Sequence, residues 1–113
     1  LLIIYINDEN SEILTSQLAE IEKQKSEFEE RDLKIILLKD QEVEIWNSTK
    51  AYQLDFNQIV QELNINTSKR YQNFLIGKDG GVKLQENSPI SNQKLFETID
   101  AMPMRQREVK DRN

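Results

Sequence analysis

The 113-residue sequence contains no cysteine and no histidine. These absences exclude disulfides, thiol nucleophiles, cysteine-based zinc sites and imidazole acid–base catalysis together. They assign no compartment, because a domain that needs no disulfide can reside on either side of a membrane. A basic surplus is missing too: 15 Lys and Arg face 20 Asp and Glu, for a formal net charge of −5. Binders of nucleic acid or anionic lipid carry the opposite balance, so no nucleic-acid partner is expected. Only the tail departs from this, where Arg105, Arg107, Lys110 and Arg112 outweigh Glu108 and Asp111. A charge run this short reads first as a solvated terminus. No apolar run approaches the ~20 residues of a membrane-spanning helix. Leu1 to Ile6 is too short for a signal-peptide core and has no basic flank. A chain that opens directly on a strand fits the removal of a cleaved signal or other leading segment.

What is present suits one domain, 1–113, of a length that buries roughly two-thirds of its unfolded surface without staples. Leu1 to Ile6 is continuously apolar, as a strand buried on both faces must be. Asn7 to Ser11 is a polar break, after which Leu14, Leu18, Ile21 and Phe28 mark one amphipathic helix reaching to about Glu30. Leu33 to Leu38 is a second buried strand, so the first three elements form a βαβ unit with parallel strands. Val43 and Ile45 alternate with Glu42 and Glu44, which fits a short edge strand or an extended segment ending near Trp46. Asp55 to Gln58 reads as a capping box with aspartate as the cap, and Phe56, Ile59, Val60 and Leu63 form the stripe of a short helix. Tyr71 to Ile76 is a third strand, and Val82 to Leu84 returns antiparallel after a turn. Ser91 caps a last helix with the stripe Leu95, Phe96, Ile99 and Met102, stopped by Pro103. The expected class is α/β: β-α-β, a linking helix, then β-β-α around a central four-stranded mixed sheet flanked by helices.

Candidate chemistry is sparse. Gly77-Lys78-Asp79-Gly80-Gly81 places a lysine beside glycines, but a phosphate loop needs Ser or Thr after the lysine and a helix beyond it. Here a strand follows, and the positive φ angles of a hairpin turn account for the glycines. Asp8 and Glu9 follow the first strand, where α/β domains place ligands, and Asp40 and Glu42 follow the second. A hard-cation site from Asp8 and Asp40 is conceivable, though loops at strand ends are polar in any case. Trp46 and Tyr52 could stack on a ligand or simply cover the core.

Three stretches carry more than generic architecture: Phe74 to Leu84, Leu95 to Glu108 with its IDAMPMR string, and Glu30-Arg31-Asp32-Leu33. Together they resemble the domain of unknown function of the DUDES group. That domain occurs alone in bacterial proteins and as a module of sushi-repeat-containing and coiled-coil-domain-containing extracellular proteins. The resemblance implies a thioredoxin-like, peroxiredoxin-related fold and a periplasmic or extracellular setting. In enzymes of that fold the reactive cysteine follows the first strand, and a cis-proline precedes the third strand of the core. Here Asn7 to Leu14 has no thiol, and Asn66 to Arg70 has no proline. The resemblance therefore implies no catalytic residue and no cofactor, and it leaves a scaffold or interaction module with a protein partner as the expected role. The residues singled out for binding are Asp8, Glu9, Arg70, Arg105 and Arg107. Those singled out as structural are Arg31, Asp32, Gly77, Lys78, Asp79, Gly80 and Pro103. Arg31 and Asp32 are expected to pair with the closing motif, which reads either as a clamp holding the fold or as a carboxylate-binding patch. An enzyme using Asp8, Glu9 or Arg70, and a small-ligand site at the loops after the first two strands, are the alternatives.

Overall fold

A computed structural model describes residues 1–7, 12–46 and 54–102. Its elements run β1 (Leu2–Ile6), α1 (Glu12–Lys23), α2 (Lys25–Glu30), β2 (Ile35–Lys39), β3 (Glu42–Ile45), α3 (Phe56–Glu62), β4 (Tyr71–Ile76), β5 (Val82–Glu86) and α4 (Asn92–Asp100). The sheet has five strands in the order β3-β2-β1-β4-β5. β1 lies parallel to β2 and antiparallel to β4, while β3 and β5 close the two edges as antiparallel hairpin partners. The α/β class and the mixed sheet flanked by helices follow the expectation, with one strand more than the four expected. That strand is the alternating Glu42–Ile45 segment, which joins the sheet because Val43 and Ile45 pack onto the second core while the glutamates face outward.

Strand alternation divides the interior into two layers. Leu2, Ile4 and Ile6 of β1, with Ile35 and Leu37 of β2, pack against Leu14, Ile21, Phe28, Leu95 and Ile99 from α1, α2 and α4. Ile3, Tyr5, Ile36, Leu38 and Phe74 face the other way and meet Phe56, Ile59, Val60 and Leu63, the stripe of α3. β1 is buried along its whole length because helices cover both of its faces. Trp46 packs against the first layer, so it serves the core; Tyr52 lies outside the described residues.

The single helix expected to reach Glu30 is instead two. The break falls at Gln24, with φ −124° and ψ 36°. The amide of Asn92, at the start of α4, donates to the Glu20 carbonyl at 2.7 Å and to Gln24 Oε1 at 2.8 Å. Glu20 is the carbonyl that the Gln24 N–H would use in a continuous helix. That N–H bonds Ile21 one residue later, at 3.0 Å, and the helix restarts. The caps follow expectation in part. Asp55 Oδ1 accepts from the Asn57 N–H at 2.9 Å and Ser91 Oγ accepts from Lys94 N–H at 3.2 Å. The reciprocal half of the capping box does not form, because the Gln58 amide donates to Glu62 at 3.1 Å.

Two turns set up the ends of the sheet. Gly80 sits at φ 86°, a conformation glycine adopts freely, and Asp79 Oδ1 accepts from the Gly81 N–H at 2.9 Å. The β2–β3 turn uses Asp40 and Gln41 at φ 53° and 61°, both left-handed without a glycine. Two positive φ angles are what the tight two-residue hairpin demands.

Candidate functional site

Topology brings the C-terminal ends of β1 and β2 together with the N-terminal end of β4. A cleft of about 840 Å³ opens there, between the β2–β3 turn, α3 and the segment before β4. Its apolar lining is Tyr5, Phe56 and Val60 of the second core layer, with Ile6 of the first. The Tyr5 and Phe56 rings lie 6.4 Å apart, tilted by 40°. Polar lining comes from Asn7, Gln41, Asn57 and Thr67, with Asp40 and Arg70 as the charged members among the described residues.

The segment before β4 is held by short polar bonds. The Thr67 carbonyl accepts from Tyr5 Oη at 3.0 Å and from Asn7 Nδ2 at 2.7 Å. Asn7 N–H donates to the Arg70 carbonyl at 2.8 Å, extending the β1–β4 ladder by one step. Asn66 Oδ1 accepts from Ser68 N–H at 3.1 Å and from Ser68 Oγ at 2.6 Å, a local turn that needs no proline. Asn66 also offers its carbonyl to the Gln72 amide at 2.6 Å. Burial pushes the Tyr5 phenol above its ordinary pKa, so it stays a hydrogen-bond donor through neutral pH. These bonds tie the segment to β1, while the Arg70 guanidinium and the Asp40 carboxylate remain exposed, each without an ion-pair partner among the described residues.

Of the binding residues expected from sequence, Arg70 lines this cleft, together with Asp40 of the conceivable cation site. Glu42 lies at the mouth of a shallower adjoining depression. Asp8, Glu9, Arg105, Arg107 and Pro103 lie outside the described residues. Among the described residues no three Asp, Glu, His or Cys side chains gather as a metal site would require. Sequence reasoning gave no site role to Tyr5, Phe56 or Thr67, and reached Asn7 only as part of the loop after the first strand. The available signal was the tyrosine inside an otherwise aliphatic β1, whose hydroxyl needs a partner when buried.

The expected structural residues assemble at the opposite end of the sheet. Arg31 joins the end of α2 to α4: its Nε and Nη2 grip Asp100 at 2.9 Å each, and Nη1 donates to the Glu27 carbonyl at 3.0 Å. The hydrogen bonds to Asp100 chiefly raise the Arg31 pKa, with burial opposing them. Asp32, in the left-handed region at φ 55°, approaches Lys34 at 3.5 Å and Lys78 at 3.7 Å. The Gly77–Gly81 turn is thereby tied to the start of β2. The partner of Arg31 is Asp100, inside the closing motif but ahead of its arginines.

A third polar group is internal. Tyr71 Oη donates to Gln17 Oε1, Gln17 Nε2 donates to Asn73 Oδ1 at 2.8 Å, and Asn73 Nδ2 donates to the Ser88 carbonyl at 3.2 Å. Burial pushes the Tyr71 phenol up to about 12, against a smaller opposing effect of the Asn73 amide. The chain spans the sheet's first face and pins α1 to β4 and to the segment before α4.

A family model described as a domain of unknown function, DUF4174, matches residues 1–108. The chain belongs to the DUF4174 family. No curated protein and no solved structure matches it significantly. The DUF4174 match covers both ends of the sheet, so the cleft and the Arg31 clamp both fall within the family region.

Proposed function

We propose that this DUF4174 chain is a single thioredoxin-like domain that works as a non-catalytic binding module, with the cleft beside Tyr5 and Arg70 as its binding site. Thioredoxin-like likeness is supported by the strand order β2-β1-β4-β5, with β1 and β2 parallel and the other pairs antiparallel. Placement of α1 and α4 on one face and α3 on the other supports it as well. The observation that carries the binding role is the combination of a fixed polar frame with two unpaired charges. Tyr5 and Asn7 hold the Thr67 carbonyl, yet Arg70 and Asp40 face the cleft uncommitted. A frame ordered in this way leaves only the two charged side chains to be ordered on binding, which favours recognition. The residues that thiol chemistry would need are absent from the whole sequence.

Two measurements on the purified 113-residue chain test this reading. Peroxide reduction and disulfide reduction should show no turnover above buffer. Backbone amide NMR during a screen of small polar compounds should show shifts that cluster at Asn7, Gln41, Thr67 and Arg70. Turnover that Asp8→Ala abolishes would replace the module with an enzyme, and shifts that cluster elsewhere would remove the cleft.

A further inference from the structure

We propose that the cleft takes a small zwitterionic ligand of amino-acid or dipeptide chemistry, its carboxylate on Arg70, its ammonium on Asp40 and its apolar part over Tyr5 and Phe56. The proposal rests on the binding reading of the cleft and names what that cleft selects.

Register supplies the geometry. Ile6 pairs across the sheet with Lys39 of β2 on one side and with Tyr71 of β4 on the other. Asp40 and Arg70 each lie one residue beyond those pairs, on the same end of the sheet, flanking Asn7. Their backbones are therefore two strand spacings apart, about 10 Å. An extended dipeptide holds its two ends about 7 Å apart. A charge-assisted contact of about 3 Å at each end brings that span within reach of the two flexible side chains.

Charge supplies the chemistry. The cleft carries one described cation and one described anion, exposed and unpaired, on its two opposite walls. A ligand bearing one negative charge alone would meet Asp40 uncompensated, and a purely cationic ligand would meet Arg70 in the same way. Guanidinium suits a carboxylate, since its planar fork matches the two oxygens. Carboxylate oxygens in turn accept from an ammonium. The same cleft has an apolar part, Tyr5, Ile6, Phe56 and Val60, which suits a hydrophobic side chain. Asn7 and Asn57 also line the cleft, though the Asn7 Nδ2 is already given to the Thr67 carbonyl.

Four probes test the charge match on the full chain by backbone amide NMR: leucyl-leucine, its N-acetyl form, its C-terminal amide and the doubly blocked form. Leucyl-leucine should shift Asn7, Gln41, Thr67 and Arg70, and each single block should weaken binding by at least about threefold. Arg70→Gln should abolish discrimination against the C-terminal amide, and Asp40→Asn should abolish discrimination against the N-acetyl form. Both side chains are exposed, so a wild-type spectrum outside the cleft confirms folding. Equal binding of the doubly blocked form at the cleft would overturn the zwitterion while leaving the binding module. No shift at the cleft from any probe at about 10 mM, where even a weak site of millimolar Kd is filled, would overturn the zwitterion. The compound screen then decides separately whether the cleft binds anything.

Discussion

Arg31 lies over the ring of Phe96 with its guanidinium carbon 4.3 Å from the ring centroid. The same guanidinium grips Asp100 one turn further along α4, and Phe96 itself packs on Phe28 at 4.6 Å between centroids. One side chain thus closes α2 against α4 by stacking and by a two-pronged ion pair. Its side chain is only 13 % exposed, while Asp100 is 47 % exposed, so stacking and fork geometry weigh more than bare charge. Arg31→Lys keeps the charge but loses the plane and the fork. It should cost about 1–2 kcal/mol, read in urea as a lower midpoint at unchanged slope. Asp100→Asn should cost less. A cost for Arg31→Lys no larger than that of Lys34→Arg on the surface would show that the stacked geometry contributes nothing.

Tyr71 should weaken the fold at alkaline pH. Its folded pKa of about 12 lies above its ordinary value of 10.0. For an acid that is neutral when protonated, the raised value means the folded state holds its proton more tightly. The contribution is complete below pH 10 and is lost as pH rises through 12, because the unfolded state releases its proton first. The loss should amount to about 3 kcal/mol. Tyr71→Phe should be less stable at pH 8, since Gln17 Oε1 loses its donor, by about 1–3 kcal/mol. The variant should nonetheless fall less steeply than wild type between pH 10 and 12. Parallel alkaline limbs in denaturation curves would contradict the buried-phenol account.

The β2–β3 turn holds two non-glycine residues in the left-handed region, and Gln41 at φ 61° is the second of them. A side chain there is disfavoured by roughly 1–2 kcal/mol, partly offset in a glycine variant by greater unfolded-state freedom. Gln41→Gly should therefore stabilise the fold by about 0.5–1 kcal/mol. Gln41→Val should destabilise it, because a β-branched residue fits that region worst. Urea midpoints of the two variants moving in the same direction would show that the turn is not under this constraint.

How much of this was readable depends on the range of the forces involved. β1 and β2 announce themselves as aliphatic runs because helices bury both of their faces, and β4 does so less plainly, with Gln72 and Asn73 inside it. The caps at Asp55 and Ser91 are local and were also readable. The break at Gln24 was not, since the cause is an amide 68 residues away at Asn92, competing for the Glu20 carbonyl. The Asp40-Gln41 turn hid because aspartate there is followed by glutamine, where the usual mark of such a turn is glycine. At the cleft, Asp40 and Arg70 drew notice as charges at strand ends. Tyr5, Asn7 and Thr67 did not, because their meaning lies in which carbonyl they reach. Gln17 sat on the buried stripe of α1 between Leu14 and Ile21, a polar residue in an apolar position, and Tyr71 and Asn73 explain it.

The Thr67 carbonyl is doubly accepted, and that redundancy makes a distinct prediction. Tyr5 Oη and Asn7 Nδ2 both donate to it, at 3.0 and 2.7 Å. Removing one donor leaves the carbonyl satisfied by the other, so Tyr5→Phe or Asn7→Ala alone should cost near the lower end of about 0.5–1.5 kcal/mol. Removing both releases the segment from Asn66 to Arg70 from β1, apart from the backbone bond between Asn7 and Arg70. The double variant should therefore lose more than the two single losses together, with a coupling of about 0.5–1 kcal/mol. Amide hydrogen exchange should accelerate at Ser68 and Lys69 in the double variant, while the centre of β4 at Phe74 stays protected. Strict additivity, or exchange that rises equally at Phe74, would show that these two bonds support the sheet as a whole. The expected pattern would instead localise their effect to the wall of the cleft that carries Arg70.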